Sequence, residues 1–236
     1  MLSFDAVVLL VALFAVTFLL GSIPWGVVVS RLFFHKDLRN EGSGNIGTTN
    51  AMRSMGKVGG SAVFVLDFGK GLLSGALATF TAPHVQAASA AGADVACALC
   101  LGTAVLGCVW GHIFSPWLKF KGGKGIAVAI GCLFFVFGPV GAIIELLVFA
   151  VLVLATRYVS AGSLAAAVIC PFLACWFLSG QWVAIALVTL AAVTVVWAHR
   201  GNIARLRAGT ERKVGAKKPQ GPNGGTSTGS SNGSAA

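Results

Sequence analysis

Charge is scarce in this chain. Asp, Glu, Lys and Arg make up 10% of its 236 residues, against 56% hydrophobic. A soluble domain carries about 25% charged residues, so this chain cannot cover a water-facing surface. That excludes a soluble globule and a disordered chain. Acids are scarcer than bases, with seven Asp and Glu against seventeen Lys and Arg and a formal net charge of +10. So few carboxylates, with no His, Cys or Asp cluster at ligand spacing, leave no expected metal site or cofactor. The six cysteines all lie in apolar stretches. Cys97 and Cys100 have C-x-x-C spacing without a second pair or a nearby His, so they read as small packing residues rather than a disulfide framework. No Lys or Arg precedes Arg31, so the basic n-region of a cleaved signal peptide is missing.

What is present is a series of long apolar runs: Phe4 to about Val29, Val58–Phe80, Ala93–Trp110, Ile126–Phe137, Val140–Ala155, Ser160–Leu178 and Trp182–Ala198. A membrane helix needs about 20 residues, so the expected fold is an all-α integral membrane protein. The stretch Ile126–Ala155 is either one kinked helix or two broken at Gly138-Pro139. Charge decides between them. With two helices, the segments Arg31–Lys57, Gly111–Gly125, Thr156–Tyr158 and the tail share one side and hold every Lys and Arg except Lys70. The opposite loops hold none. The positive-inside rule then gives seven transmembrane helices, N-terminus outside and C-terminus cytoplasmic. It also accounts for the basic surplus without a nucleic-acid partner. Residues 1–213 form the membrane domain, and 214–236, rich in Gly, Ser and Asn, an expected disordered tail.

Every Gly-rich polar segment falls on the basic side. The first runs from Glu41 through Gly42-Ser43-Gly44-Asn45-Ile46-Gly47-Thr48-Thr49-Asn50 to Arg53. Its glycines permit positive φ, so successive N–H groups can converge on an anion. Ser43, Asn45, Thr48, Thr49 and Asn50 add neutral hydrogen bonds, and Arg53 adds a fork suited to phosphate. The glycines formally match G-x-G-x-x-G, but a dinucleotide fold needs a preceding strand and here a membrane span precedes. The second segment, Lys121-Gly122-Gly123-Lys124-Gly125, abuts the start of a span, where a helix N-terminus attracts phosphate. The alternative is a basic cluster touching lipid head groups. Trp117 and Phe120 read as interfacial anchors. At the inner end of the last span, His199 and Asn202 share a helical face. His199 either serves a phosphate or proton, or caps carbonyls. His112 is a weaker candidate, and Arg200, Arg205, Arg207, Arg212 and Lys213 are expected to face lipid heads. Asp67 and Lys70, i and i+3 inside a span, either lock helices as an ion pair or line a polar cavity floor. Glu145 sits mid-span with no partner evident in the sequence.

The order GSGNIGTTNAMR, DFGKG, GHIFSPWLKFKGGKG, TRYVS and HRGNIARLRAGTE resembles the bacterial acyl-phosphate:glycerol-3-phosphate acyltransferases, from about Gly21 to Gly215. Departures are small. The family more often has Ala at Thr48 and Thr at Val128, and its Pro usually stands one place before Pro116. The H-x-x-x-x-D arrangement of the common glycerolipid acyltransferases is absent. The resemblance implies a seven-helix inner-membrane enzyme with its active site on the cytoplasmic face. Such an enzyme transfers a fatty acyl group from acyl phosphate to glycerol 3-phosphate, giving lysophosphatidic acid. It carries functional roles over to Ser43, Gly44, Asn45, Thr49, Asn50, Arg53, Lys124, His199 and Asn202.

Taken with the residue chemistry, Ser43, Lys124 and His199 are the expected catalytic residues. Gly44, Asn45, Thr49, Asn50, Arg53, Gly122, Gly123 and Asn202 are the expected binding residues. The expected partners are acyl phosphate, glycerol 3-phosphate and membrane lipid. Two other classes compete. A transporter would concentrate polar residues near the midplane and open to both sides. A lipid-binding structural protein would need the bases but not the Ser/Asn/Gly/Arg constellation.

Overall fold

The computed structural model describes residues 2–215, so all but the first two residues of the expected tail lie outside the described part. The described residues form helices α1 (Phe4–Ser22), α2 (Trp25–Phe34), α3 (Thr48–Ala87), α4 (Ala93–Ile113), α5 (Ile126–Val136), α6 (Gly138–Thr156), α7 (Val159–Phe177), α8 (Trp182–Ala198) and α9 (Arg200–Arg207). Among them are two single 3-10 turns and no strand. The polarity is that of a membrane protein. Phe4, Leu154, Trp176 and Trp182 stand exposed, while Asp67, Lys70, Glu145 and His199 are buried. Water would disfavour that arrangement and lipid favours it.

Five stretches are long and apolar enough to cross a membrane, Phe4–Phe34, Thr48–Ala87, Ala93–Leu118, Gly138–Thr156 and Val159–Phe177, and the bent pair α8–α9 makes a sixth. The break at Gly138-Pro139 is present: Gly138 takes φ +65° and Pro139 stands in the first turn of α6. It leaves α5 only 11 residues long, about 16 Å at 1.5 Å per residue.

Two departures from the sequence expectation shape the site. The first apolar run is two helices. Pro24 cannot donate to the helical ladder and biases Ile23 to an extended conformation, and α1 ends there. The first Gly-rich segment is not all loop either, because α3 begins at Thr48 and only kinks at Gly56, where φ is +72°. Thr48, Thr49, Asn50 and Arg53 are therefore helical residues.

Helix α4 is the axis of the bundle. Its Ala, Gly, Cys and Thr residues let α1, α3, α5 and α8 close around it, and nearly all of it is buried. Against α1 the approach is backbone to backbone. A Cβ on Gly111 would stand 2.0 Å from the Phe18 carbonyl oxygen, and one on Gly21 would stand 2.1 Å from that of Cys108. Close backbone contact through small residues four apart, here Gly107 and Gly111, is how membrane helices associate where lipid supplies no hydrophobic drive.

Candidate active site

The polar ends of α3, α5, α7 and α9 surround a cavity of about 700 Å³. One wall is apolar, with Phe64, Ile130, Leu146 and Phe149. The other end is cationic, with Arg53, Lys124, Arg205 and Arg212. A smaller void of about 40 Å³, lined by α4, α5, α6, α7 and α8, includes Glu145 and shares Ile126, Ile130 and Ala166 with the main cavity. It holds none of the cations, so the anion chemistry belongs to the larger cavity.

Three helices present uncapped N-termini to that cavity. The first turns of α3 (Thr48, Thr49), α5 (Ile126, Ala127) and α7 (Val159, Ser160) line it, and none has a side-chain cap. Free N–H groups at a helix start carry partial positive charge and bind anions. The sequence showed this for α5 but not for α3 or α7. The buried hydroxyl of Thr48, one of the cavity-lining groups, has no hydrogen-bond partner among the described residues.

The Gly-rich turn before α3 is organised by Asn50. Its Oδ1 accepts from the Ser43 N–H at 2.9 Å, and its Nδ2 donates to the carbonyls of Leu38, Glu41 and Asn45 at 3.1, 2.9 and 2.8 Å. Asn50 is thereby buried and occupied as a scaffold residue. Asn45 does similar work, accepting from the Gly47 N–H at 2.8 Å. Gly42 and Gly44 adopt φ of +58° and +71°, conformations that suit glycine. The turn leaves Ser43 exposed at the cavity.

Across the cavity, a polar network fixes the opposite rim. Lys124 Nζ donates to Asn202 Oδ1. Asn202 Nδ2 donates to Glu211 at 2.8 Å, as do Ser160 Oγ at 3.1 Å and Arg205 Nε at 2.6 Å. Burial pushes the Glu211 carboxyl up, but the hydrogen bonds from Asn202 and Arg205 outweigh it and hold the group below its ordinary value. Burial, with the nearby Arg205 charge, lowers the Lys124 ammonium to about 8. His199 Nδ1 lies 2.8 Å from the Val195 carbonyl. A carbonyl only accepts, so Nδ1 carries the proton and Nε2 is the free acceptor of the neutral ring.

The structure thus brings Ser43, Asn45, Thr49, Asn50, Arg53, Lys124, His199 and Asn202 to one cavity. Gly44, Gly122 and Gly123 are not among its lining residues. The N–H groups of Gly122 and Gly123 are already given to the carbonyls of Ile113 and His112, at 2.9 and 3.0 Å. Arg205 and Arg212, expected to face lipid, line the cavity instead, because the chain after α9 folds back over it. That return is pinned where the Val214 N–H meets the Arg157 carbonyl at 2.7 Å. Sequence reasoning missed Ser160. Glu211 was visible only as an isolated acid among bases. Asp67 and Lys70 satisfy both readings at once: their atoms pair at 3.0 Å in the interior, and Asp67 reaches the cavity lining.

The family model described as glycerol-3-phosphate acyltransferase matches residues 11–209. Two of the relatives that carry that name illustrate the likeness. One, from Rhodopseudomonas palustris (strain HaA2), is 42% identical over 201 residues, covering 85% of this chain and 93% of the relative. The other, from Bradyrhizobium diazoefficiens, is 40% identical over 200 residues, covering 85% and 92%. Two solved structures are also similar, both of PlsY (YgiH), an integral membrane glycerol 3-phosphate acyltransferase. The glycerol 3-phosphate form is 34% identical with a TM-score of 0.73, covering 89% of this chain and 96% of that one. The lysophosphatidic acid form is 31% identical with a TM-score of 0.69, covering 89% and 95%.

Proposed function

We propose a reaction from one premise: this chain belongs to the glycerol-3-phosphate acyltransferase family. The acceptor is glycerol 3-phosphate and the donor is a fatty acyl phosphate. One glycerol hydroxyl attacks the acyl carbon, the bond from that carbon to the phosphate oxygen breaks, and lysophosphatidic acid and inorganic phosphate leave. The hydroxyl proton passes to His199 Nε2 or to a phosphate oxygen of the substrate.

The observation that carries this reading is the convergence of three uncapped helix N-termini and four cations at one end of a cavity whose other wall is apolar. Two phosphate groups must be held together against their mutual repulsion. Fixed N–H dipoles and cations offset that repulsion and stabilise charge developing on the carbonyl oxygen. The apolar wall suits an acyl chain. An acyl phosphate is a mixed anhydride with a good leaving group, so orientation does most of the remaining work, about 7–11 kcal/mol of barrier in favourable cases. On this reading Arg53 and Lys124 hold phosphate, and Ser43 donates to phosphate or to the acyl carbonyl.

The same reading sets the membrane arrangement. Seven helices lie in a bacterial inner membrane, α5 being a half-length one, with the N-terminus outside and the cationic mouth on the cytoplasmic side. The distribution of Lys and Arg supports it.

The test is to incubate purified protein with glycerol 3-phosphate and either acyl phosphate or an acyl thioester. Equimolar lysophosphatidic acid and phosphate from acyl phosphate alone is the expected outcome. Turnover confined to the thioester would overturn the donor assignment.

A further inference from the structure

Lys70 is a buried ammonium with three polar neighbours, one a charge partner and two in hydrogen-bond contact. They are Asp67 Oδ1 at 3.0 Å, the Ile23 carbonyl at 2.9 Å and His112 Nδ1 at 3.0 Å. The Ile23 carbonyl lies at the Pro24 break, just past the last residue of α1. An ammonium only donates, so His112 Nδ1 is an acceptor and the ring proton sits on Nε2. One residue of α3 thereby ties the α1–α2 junction to the C-terminal turn of α4.

The His112 ring bears in turn on the segment that carries Lys124. Gly123 is buried against it, and a Cβ there would stand 2.1 Å from Nε2. A Cβ on Gly122 would stand 2.0 Å from the His112 carbonyl oxygen. The Gly123 N–H donates to that same carbonyl at 3.0 Å. Two glycines in succession let the chain lie flat on the histidine, and the next residue is Lys124, whose ammonium meets Asn202 in the cavity.

We propose that Asp67, Lys70 and His112 are positioning residues for Lys124: they fix the imidazole on which Gly123 rests, and so set where the Lys124 ammonium meets substrate phosphate. This rests on the reading of Lys124 as a phosphate-holding residue. Asp67 and His112 border the same cavity, but a misplacement of about 1 Å costs about a hundredfold in rate, so a loosened platform acts through Lys124.

The experiment is a double-mutant cycle on purified enzyme, with kcat and KM for glycerol 3-phosphate measured for His112→Asn, Lys124→Ala and the pair. A second cycle uses Gly123→Ala, which attacks the same contact from the other side. His112→Asn is expected to lower kcat/KM by about tenfold to a hundredfold, and to change it little once Lys124 is Ala. Independent sites would instead multiply to within about twofold, and multiplication in the cycles overturns the proposal. Wild-type kinetics in His112→Asn overturns it too. So does failure of both His112→Asn and Gly123→Ala to fold, since the contact would then hold the bundle rather than the lysine. The Lys124→Ala arm by itself tests the underlying reading. Unchanged kinetics there sinks the phosphate role, whereas a loss there without coupling sinks only the positioning role.

Discussion

Replacing Lys124 by Met removes the ammonium while keeping most of the side-chain volume. The ammonium is half-buried and meets Asn202, which is locked in turn to Glu211. A charge-assisted hydrogen bond to phosphate contributes about 1.5–3 kcal/mol, and 1.4 kcal/mol is tenfold. Lys124→Met should therefore lower kcat/KM for glycerol 3-phosphate by about tenfold to a hundredfold. Arg53, Arg205 and Arg212 line the same cavity and keep the loss from being total.

The pH profile supplies an independent reading of the same residue. Burial lowers Lys124 to about 8. It is cationic below that value and neutral above it, so phosphate binding is fully present at lower pH and lost as pH rises through about 8. For kcat/KM, which reports the free enzyme, the wild type should show a basic limb near that pH, and Lys124→Met should lack it. Initial rates of phosphate release from pH 6 to 9 check both expectations. An unaltered limb in Lys124→Met would refute the assignment, as would wild-type kcat/KM in a folded variant.

Arg53→Ala should mainly raise the KM of one substrate, by about tenfold or more, in a steady-state assay with each substrate varied in turn. Ser43→Ala should lower the rate without trapping an intermediate, because acyl phosphate is already activated and no acid orients a base toward Ser43. Mass spectrometry of wild-type enzyme quenched with acyl phosphate alone is the check, and an acyl adduct on Ser43 that glycerol 3-phosphate removes would count against direct transfer. Deleting the residues after Lys218 should leave turnover intact, since Gly-, Ser- and Asn-rich sequence has little apolar surface to bury; activity of the truncated enzyme in membranes decides it. Gly111→Val should abolish folded protein, because its side chain would enter the Phe18 carbonyl across the α1–α4 contact; size-exclusion chromatography in detergent reads this out.

What the sequence exposed was local chemistry at span ends. Ser43, Arg53, Lys124, His199 and Asn202 were legible because each stands in a polar interruption of an apolar run, and all five line one cavity. The Gly138-Pro139 break was legible because only that break kept every loop charge on one side. Roles that depend on tertiary partners were not. Asn50 looks like a ligand group beside Thr49, yet its carboxamide is spent on four backbone atoms of its own turn. Gly122 and Gly123 look like a phosphate loop, but their N–H groups are turned to α4. Arg205 reads as a lipid-facing base until the chain returns to place Glu211 against it. Pro24 was visible, but apolar residues on both sides made its break read as one continuous span.

A site that gathers anions at a membrane edge faces a conflict. Cations attract the substrates, but several cations together repel one another and are costly to bury. The arrangement here divides the work. Helix starts supply positive potential without net charge, so α3, α5 and α7 add no mutual repulsion of the kind four arginines would. Glu211 then supplies a negative counterweight at the cationic rim. It accepts from Arg205, Asn202 and Ser160, joining α7 to α9 and, through Asn202, to Lys124. The carboxylate therefore costs some attraction for phosphate but fixes the donors before substrate arrives. Donors that need not reorganise when charge develops are worth more in the transition state than stronger but mobile ones. On the proposed reading, that exchange explains why the cavity tolerates an acid among its cations, and why the acid sits where it bonds to the rim rather than beside Ser43.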